Sequence, residues 1–156
     1  MKMRQLLLVL TLLAFVAAVG GRPAGKPNFN GTWRILQSRD ASTTLVVLHR
    51  GAKLEVTRQR FAMGVTDVRQ SLYYIDGETH FTEETNWVES DNKPRAREPV
   101  SRKVKSVAAW HGDTLVIEAN NIREEWRLSA DGKELILTTG TAKRIYRKFS
   151  ERIDKD

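Results

Sequence analysis

Near neutral pH the side chain best suited to move a proton or to ligate a metal is histidine, and the chain carries three, His49, His80 and His111. Each stands near the end of a predicted strand, so all three could in principle meet at one rim as an N3 metal site. Their spacing does not favour it. No two are separated by the i, i+2 interval that places imidazoles on one face of a strand, or by the i, i+4 interval of a helix. Three separate surface imidazoles and no metal are expected. Serine chemistry is poorly supplied as well: there is no Gly-x-Ser-x-Gly elbow, and Ser71, Ser101 and Ser106 fall inside predicted strands. Glu83-Glu84 and Glu124-Glu125 are adjacent in sequence, so in strands each pair points to opposite faces and forms no acid and base couple. Phosphate loops and dinucleotide fingerprints are missing. The residues predict binding without catalysis and without a cofactor.

The charged residues point outward to a partner. Lysine and arginine number 26 against 19 acidic residues, a net charge of +7. They gather at Lys93, Arg95, Arg97, Arg102, Lys103 and Lys105, and again at Lys143, Arg144, Arg147, Lys148 and Arg152. Such patches favour anionic partners. The aromatics do not alternate with them as a nucleic-acid stacking platform would require, so an anionic envelope component is the expected partner and nucleic acid is not.

The elements that must position these residues begin after an export signal. Lys2 and Arg4 precede an uncharged run from Leu6 to Val19, apolar but for Thr11, which is followed by small residues. That run falls short of the roughly 18 to 20 residues that cross a bilayer as a helix. Cleavage after Gly20 or after Ala18 is expected, leaving no transmembrane anchor and a secreted or periplasmic protein. Residues 21–28 hold two prolines and two glycines with no apolar side chain larger than alanine, and read as a flexible leader. A single domain is predicted from 29 to 150, with a short tail at 151–156. Lacking cysteine, it has to be held together by its core.

From Phe29 onward, apolar residues never keep a helical period, while short alternating or β-branched runs recur between Gly, Asp and Asn. Strands are predicted at Thr32–Gln37, Thr43–Arg50, Lys53–Arg60, Asp67–Ile75, Thr79–Val88, Val100–Trp110, Thr114–Arg123, Glu124–Ser129, Glu134–Thr139 and Ala142–Phe149. Tight hairpins are predicted at Asp76-Gly77, His111-Gly112 and Asp131-Gly132, with Arg50-Gly51 a fourth. Sequential hairpins make an antiparallel meander, and closure into a barrel of eight to ten strands removes its edges. The polar stretch Glu89–Glu98, which contains Pro94, is predicted to be a surface loop.

Phe29-Asn30-Gly31-Thr32-Trp33 resembles the Gly-x-Trp opening strand of lipocalins and fatty-acid-binding proteins. Together with the blocks Ala109–Ile117 and Trp126–Lys133, it makes the chain similar to secreted bacterial lipocalin-like proteins of uncharacterised function. The resemblance implies a small barrel with a general ligand-binding habit. It also implies that Trp33 closes one end of the barrel under a basic side chain from a late strand, for which Arg144 and Arg147 are the candidates. Two readings follow. In one, the barrel holds a small apolar or amphipathic molecule against Trp87, Trp110, Trp126 and Tyr74. In the other, aromatic side chains pack the interior solid and the basic face alone meets an anionic partner.

Overall fold

The computed structural model describes residues 25–38, 41–90 and 93–149. The expected signal segment 1–20, the first part of the leader and the tail fall outside that range. Ten strands follow one another: β1 (Gly31–Ser38), β2 (Ala41–Arg50), β3 (Lys53–Ala62), β4 (Val65–Tyr74), β5 (Thr79–Ser90), β6 (Lys93–His111), β7 (Thr114–Ala119), β8 (Ile122–Leu128), β9 (Glu134–Thr139) and β10 (Ala142–Phe149). Every strand pairs antiparallel with its sequence neighbours, and β10 pairs with β1, so the meander closes into a barrel. This geometry is compatible with the lipocalin and fatty-acid-binding folds. Closure pairs the first strand with the last, so neither is left as a sheet edge.

Hairpin chemistry sets the registers. Gly51, Gly77, Gly112 and Gly132 all adopt positive φ, as the four predicted turns require. Asn120 and Asn121, at φ 52° and 61°, make a further tight turn that splits the predicted Thr114–Arg123 strand into β7 and β8. Asparagine tolerates this left-handed conformation because its short amide bonds locally, which is why the chain reverses there. The predicted loop at Glu89–Glu98 is also corrected. β5 runs to Ser90 and β6 starts at Lys93, with Val88 opposite Arg97 and Ser90 opposite Lys93 across two register shifts. Pro94 cannot donate to the ladder, and irregular pairing is the setting in which a sheet accommodates it.

Alternation divides each strand into an inward and an outward row. The inward row is apolar at one end only. Trp33, Leu45, Val47, Leu54, Leu115, Trp126 and Leu135 are fully buried there, and burying each contributes roughly 2–3 kcal/mol. Phe29 completes this plug from outside the strands: its ring stacks on Trp110 at 5.6 Å and meets Trp126 edge-on at 5.9 Å, while its carbonyl accepts the Trp33 indole N–H at 2.9 Å. The segment before β1 is tied down further. Lys26 donates to the Gly112 carbonyl at 2.8 Å, and the Asn30 side chain bonds the backbone of His49. Ten strands enclose more space than eight, which side chains just fill, so the opposite end stays open.

Candidate functional site

Toward the other end the same inward rows turn polar. On β3 the row runs from Leu54 and Val56 to Arg58 and Arg60; on β10 it runs from Tyr146 to Arg144; on β4 it runs from Tyr73 and Ser71 to Arg69 and Asp67. The polar members Arg58, Arg60, Asp67, Arg69 and Arg144 line a cavity of about 620 Å³ on the side away from the plug. Its wall carries four guanidiniums, Arg58, Arg60, Arg69 and Arg144, against the carboxylates of Asp67 and Glu98. Thr43, Gln37 and Asn86 add neutral polar groups, and Val88, Val100 and Tyr146 add apolar surface.

An ion pair that crosses the barrel lies at the boundary between plug and cavity. Arg58 Nη2 on β3 donates to both carboxylate oxygens of Glu124 on β8, at 3.1 and 3.2 Å. Glu124 also accepts the Trp126 indole N–H at 3.1 Å. Burial disfavours the Arg58 charge, but the Glu124 carboxylate outweighs it and the pKa is raised. Burial pushes the Tyr146 hydroxyl up against the opposing pull of Arg58 and Arg144, and pushes the Tyr73 hydroxyl up as well. Both phenols therefore stay protonated at neutral pH and remain donors. Arg58 Nε is buried and has no acceptor among the described residues. Arg144 is not within ion-pair distance of any described carboxylate. Arg58, Arg144 and the Tyr146 hydroxyl thus stand against one carboxylate, Glu124, with Arg144 on the solvent-exposed side.

A second buried network braces the wall. Glu84 on β5 accepts from Arg102 Nε and Nη2 at 3.0 and 2.7 Å and from Ser71 Oγ at 3.2 Å, with Arg69 Nε 3.9 Å away. Burial pushes its carboxyl up, but the Arg102 hydrogen bonds and the charges of Arg69 and Arg102 hold it below its ordinary value. Arg69 also donates to Asn86 at 3.1 Å. The β4–β5 ladder ends at Gln70 opposite Thr85. Beyond it, the Ser71–Glu84 bond and a bond from Thr82 Oγ1 to the Leu72 carbonyl at 2.9 Å connect the two strands.

The aromatic residues singled out from sequence do not share one site. Trp87 borders the cavity, opposite Val68, and its indole N–H donates to Glu89 at 2.7 Å. Trp110 and Trp126 belong to the plug. Tyr74 stands at the closed end, its ring 4.5 Å from that of His80 and under the Lys53 ammonium at 5.5 Å. Trp33 closes the barrel, but its cover is Lys148, whose Nζ lies 5.4 Å from the ring. Register explains the difference. Lys148 is directly opposite Trp33, whereas Arg147 points outward toward Glu134 and Arg144 lies farther along the inward row, in the cavity wall.

The histidines are likewise dispersed, although all three sit at the closed end. His49 packs against Phe29 and Trp110, and burial lowers its pKa. His111 flanks the β6–β7 turn. His80 gathers with Asp76 and Glu78, one ligand atom from each lying within 4.8 Å of the others. Asp76 is already engaged: it accepts the Glu78 amide at 2.9 Å and bonds the His80 ring at 2.8 Å, so the turn is held by its own side chains. Sequence reasoning missed the arginine-lined floor. Its signal was present in the alternation Arg58-x-Arg60 and Arg144-x-Tyr146, where polar residues continue the inward row of apolar strands. Set against known proteins, the chain matches no family model and no curated relative.

Proposed function

We propose that the chain is an exported, lipocalin-like binding protein whose open half-barrel holds a small amphipathic anion. The supporting observation is the cavity wall, where the solvent-accessible Arg144 guanidinium, with no described carboxylate at ion-pair distance, stands with Arg58 and the Tyr146 hydroxyl. The head of the ligand bonds these donors, while its apolar part lies along Val88 and Val100 toward the mouth. The volume of about 620 Å³ falls within the usual range for small-molecule sites. The proposal is one of holding and release, with no bond made or broken.

The test is native mass spectrometry of protein purified after export, with extraction and mass analysis of anything released, followed by titration of the emptied protein with decanoate, decanol and decylamine. Decanoate is expected to bind most tightly. Arg144→Gln is expected to weaken decanoate by roughly 10-fold to 100-fold, the worth of a charge-assisted hydrogen bond, while leaving decanol unchanged. Equal affinity for the three probes, or no binding of any, would refute the reading.

A further inference from the structure

The outer face of the β9–β10–β1–β2 wall sets several apolar side chains among cations, whereas the β5–β6 outer face sets Phe81 opposite Lys105. Pairing sets Ile136 opposite Ile145, Arg147 opposite Arg34, and Phe149 opposite Thr32, which in turn faces Val46. With Leu48 on β2, this wall exposes three large apolar side chains, Leu48, Ile145 and Phe149, each 41% accessible. Between and beside them stand Lys143, Arg147, Arg34 and Arg50, and the carboxylates on or bordering this face are Glu134 and Glu55. The result is a flat, basic, apolar-studded surface, the pattern of an element that lies in a lipid interface.

Two details point to an anion on this face. Arg34 and Arg147 are directly opposite on neighbouring strands, about 5 Å apart at the backbone, an arrangement that disfavours folding unless something negative lies between. Arg34 is also incompletely satisfied. Its Nη2 reaches Ser42 Oγ only at 3.5 Å, and its guanidinium lies 5.4 Å from the Phe149 ring. Arg147 reaches Glu134 only at 3.7 Å. Such opposition recurs at Arg58 and Arg69, where the Glu124 carboxylate bonds Arg58, and at Arg50 and Lys53 beside the β2–β3 turn, whereas Lys103 on β6 faces Glu83 on β5.

We infer that this wall is a docking surface for a membrane of anionic phospholipid, with lipid phosphates between Arg34 and Arg147 and with Leu48, Ile145 and Phe149 at the level of the upper acyl chains. Charge complementarity selects the occupant. The apolar side chains are interleaved with cations, so an anionic lipid surface satisfies both sets at once, the long basic side chains reaching up to the phosphates while their stems stay apolar. The inference does not depend on what the lumen holds.

Protein purified after export is sedimented with vesicles of phosphatidylcholine alone and with equimolar phosphatidylglycerol and phosphatidylcholine, at low and high salt. Binding is expected to the anionic vesicles and to fall with salt. Each cation near such a surface is worth about fivefold, so Arg34→Gln with Arg147→Gln should weaken binding about 25-fold. Ile145→Ser with Phe149→Ser should weaken it as well. Lys103→Gln with Lys105→Gln removes the same charge from the far wall and should change binding less than about twofold. If Arg34→Gln impairs folding, judged by near-ultraviolet circular dichroism, Arg147→Gln alone carries the comparison with an expected fivefold loss. Failure to bind anionic vesicles at low salt overturns the inference, as that result would leave an acidic protein as the partner. So does an equal loss from the Lys103 and Lys105 pair, which would reduce the effect to net charge.

Discussion

Replacing Phe29 by alanine probes whether the segment before β1 is part of the core. The ring is fully buried, stacked at 5.6 Å on Trp110 and set against Trp126 and His49. Truncating such a side chain in a packed interior costs about 3–5 kcal/mol, the sum of lost transfer energy and the void left behind. Phe29 sits at an end of the barrel, where water can reach part of the void, so the lower half of that range applies, about 3–4 kcal/mol. The backbone anchors survive the change, because the Trp33 indole bonds the Phe29 carbonyl and Asn30 holds His49. For a domain of this size about 4 °C of melting temperature accompanies each kcal/mol, so Phe29→Ala should melt about 12–16 °C lower. Far-ultraviolet circular dichroism measures the shift, and tryptophan fluorescence should move to the red as Trp110 and Trp126 lose their cover. A fall of less than about 4 °C with unchanged fluorescence would show that the plug is ornamental and that the strands alone hold the closed end.

Other substitutions separate roles that the fold keeps close together. Met63 is 92% exposed and held at φ 53° ahead of Gly64 in the β3–β4 turn, so Met63→Asn should stabilise by about 1 kcal/mol in urea unfolding. Lys148→Met removes the cation over Trp33 and should cost about 1 kcal/mol, while Arg147→Gln, which removes a like charge opposite Arg34, should not lower thermal stability. Glu84 has its pKa lowered in the folded protein, so the stability it contributes is fully present above the ordinary value of 4.5 and is lost as pH falls through the folded value. Urea titrations from about pH 7 to about pH 3 should show Glu84→Gln less stable than the parent at the upper end, with the difference shrinking in acid.

Much of the barrel was legible because turns and periodicity are local properties. Gly51, Gly77, Gly112 and Gly132 mark reversals that any hairpin of this register needs, and β9 and β10 begin and end where alternation predicts. Met63-Gly64 and Asn120-Asn121 were harder to read. A methionine carries no turn signal, and the Asn pair lay inside a run of strand-forming residues. The candidate site was less legible for a different reason. Whether Trp126 lines a cavity or fills a core depends on how far the opposite wall stands, and the Arg58–Glu124 contact joins residues 66 apart in sequence. Tryptophans look like ligand contacts in one dimension; here the arginines of the inward rows surround the cavity, and two of the three candidate tryptophans help to seal the other end.

An even number of antiparallel strands returns the chain to the side on which it set out. Thr32 and Phe149 are therefore direct neighbours, and the polypeptide enters and leaves beside the plug. Gly31 and Phe149, where the first strand begins and the last one ends, both lie on the plugged side. The same proximity makes the molecule a natural subject for circular permutation: a short linker from Phe149 back to Lys26 keeps Phe29 in place, and a cut between Met63 and Gly64 moves both new termini to the rim. Such a permutant retains the plugged end as one continuous stretch of chain while freeing two strand ends at the mouth, and comparing its rate of ligand release with that of the parent would show whether a closed rim governs how quickly the cavity exchanges its contents.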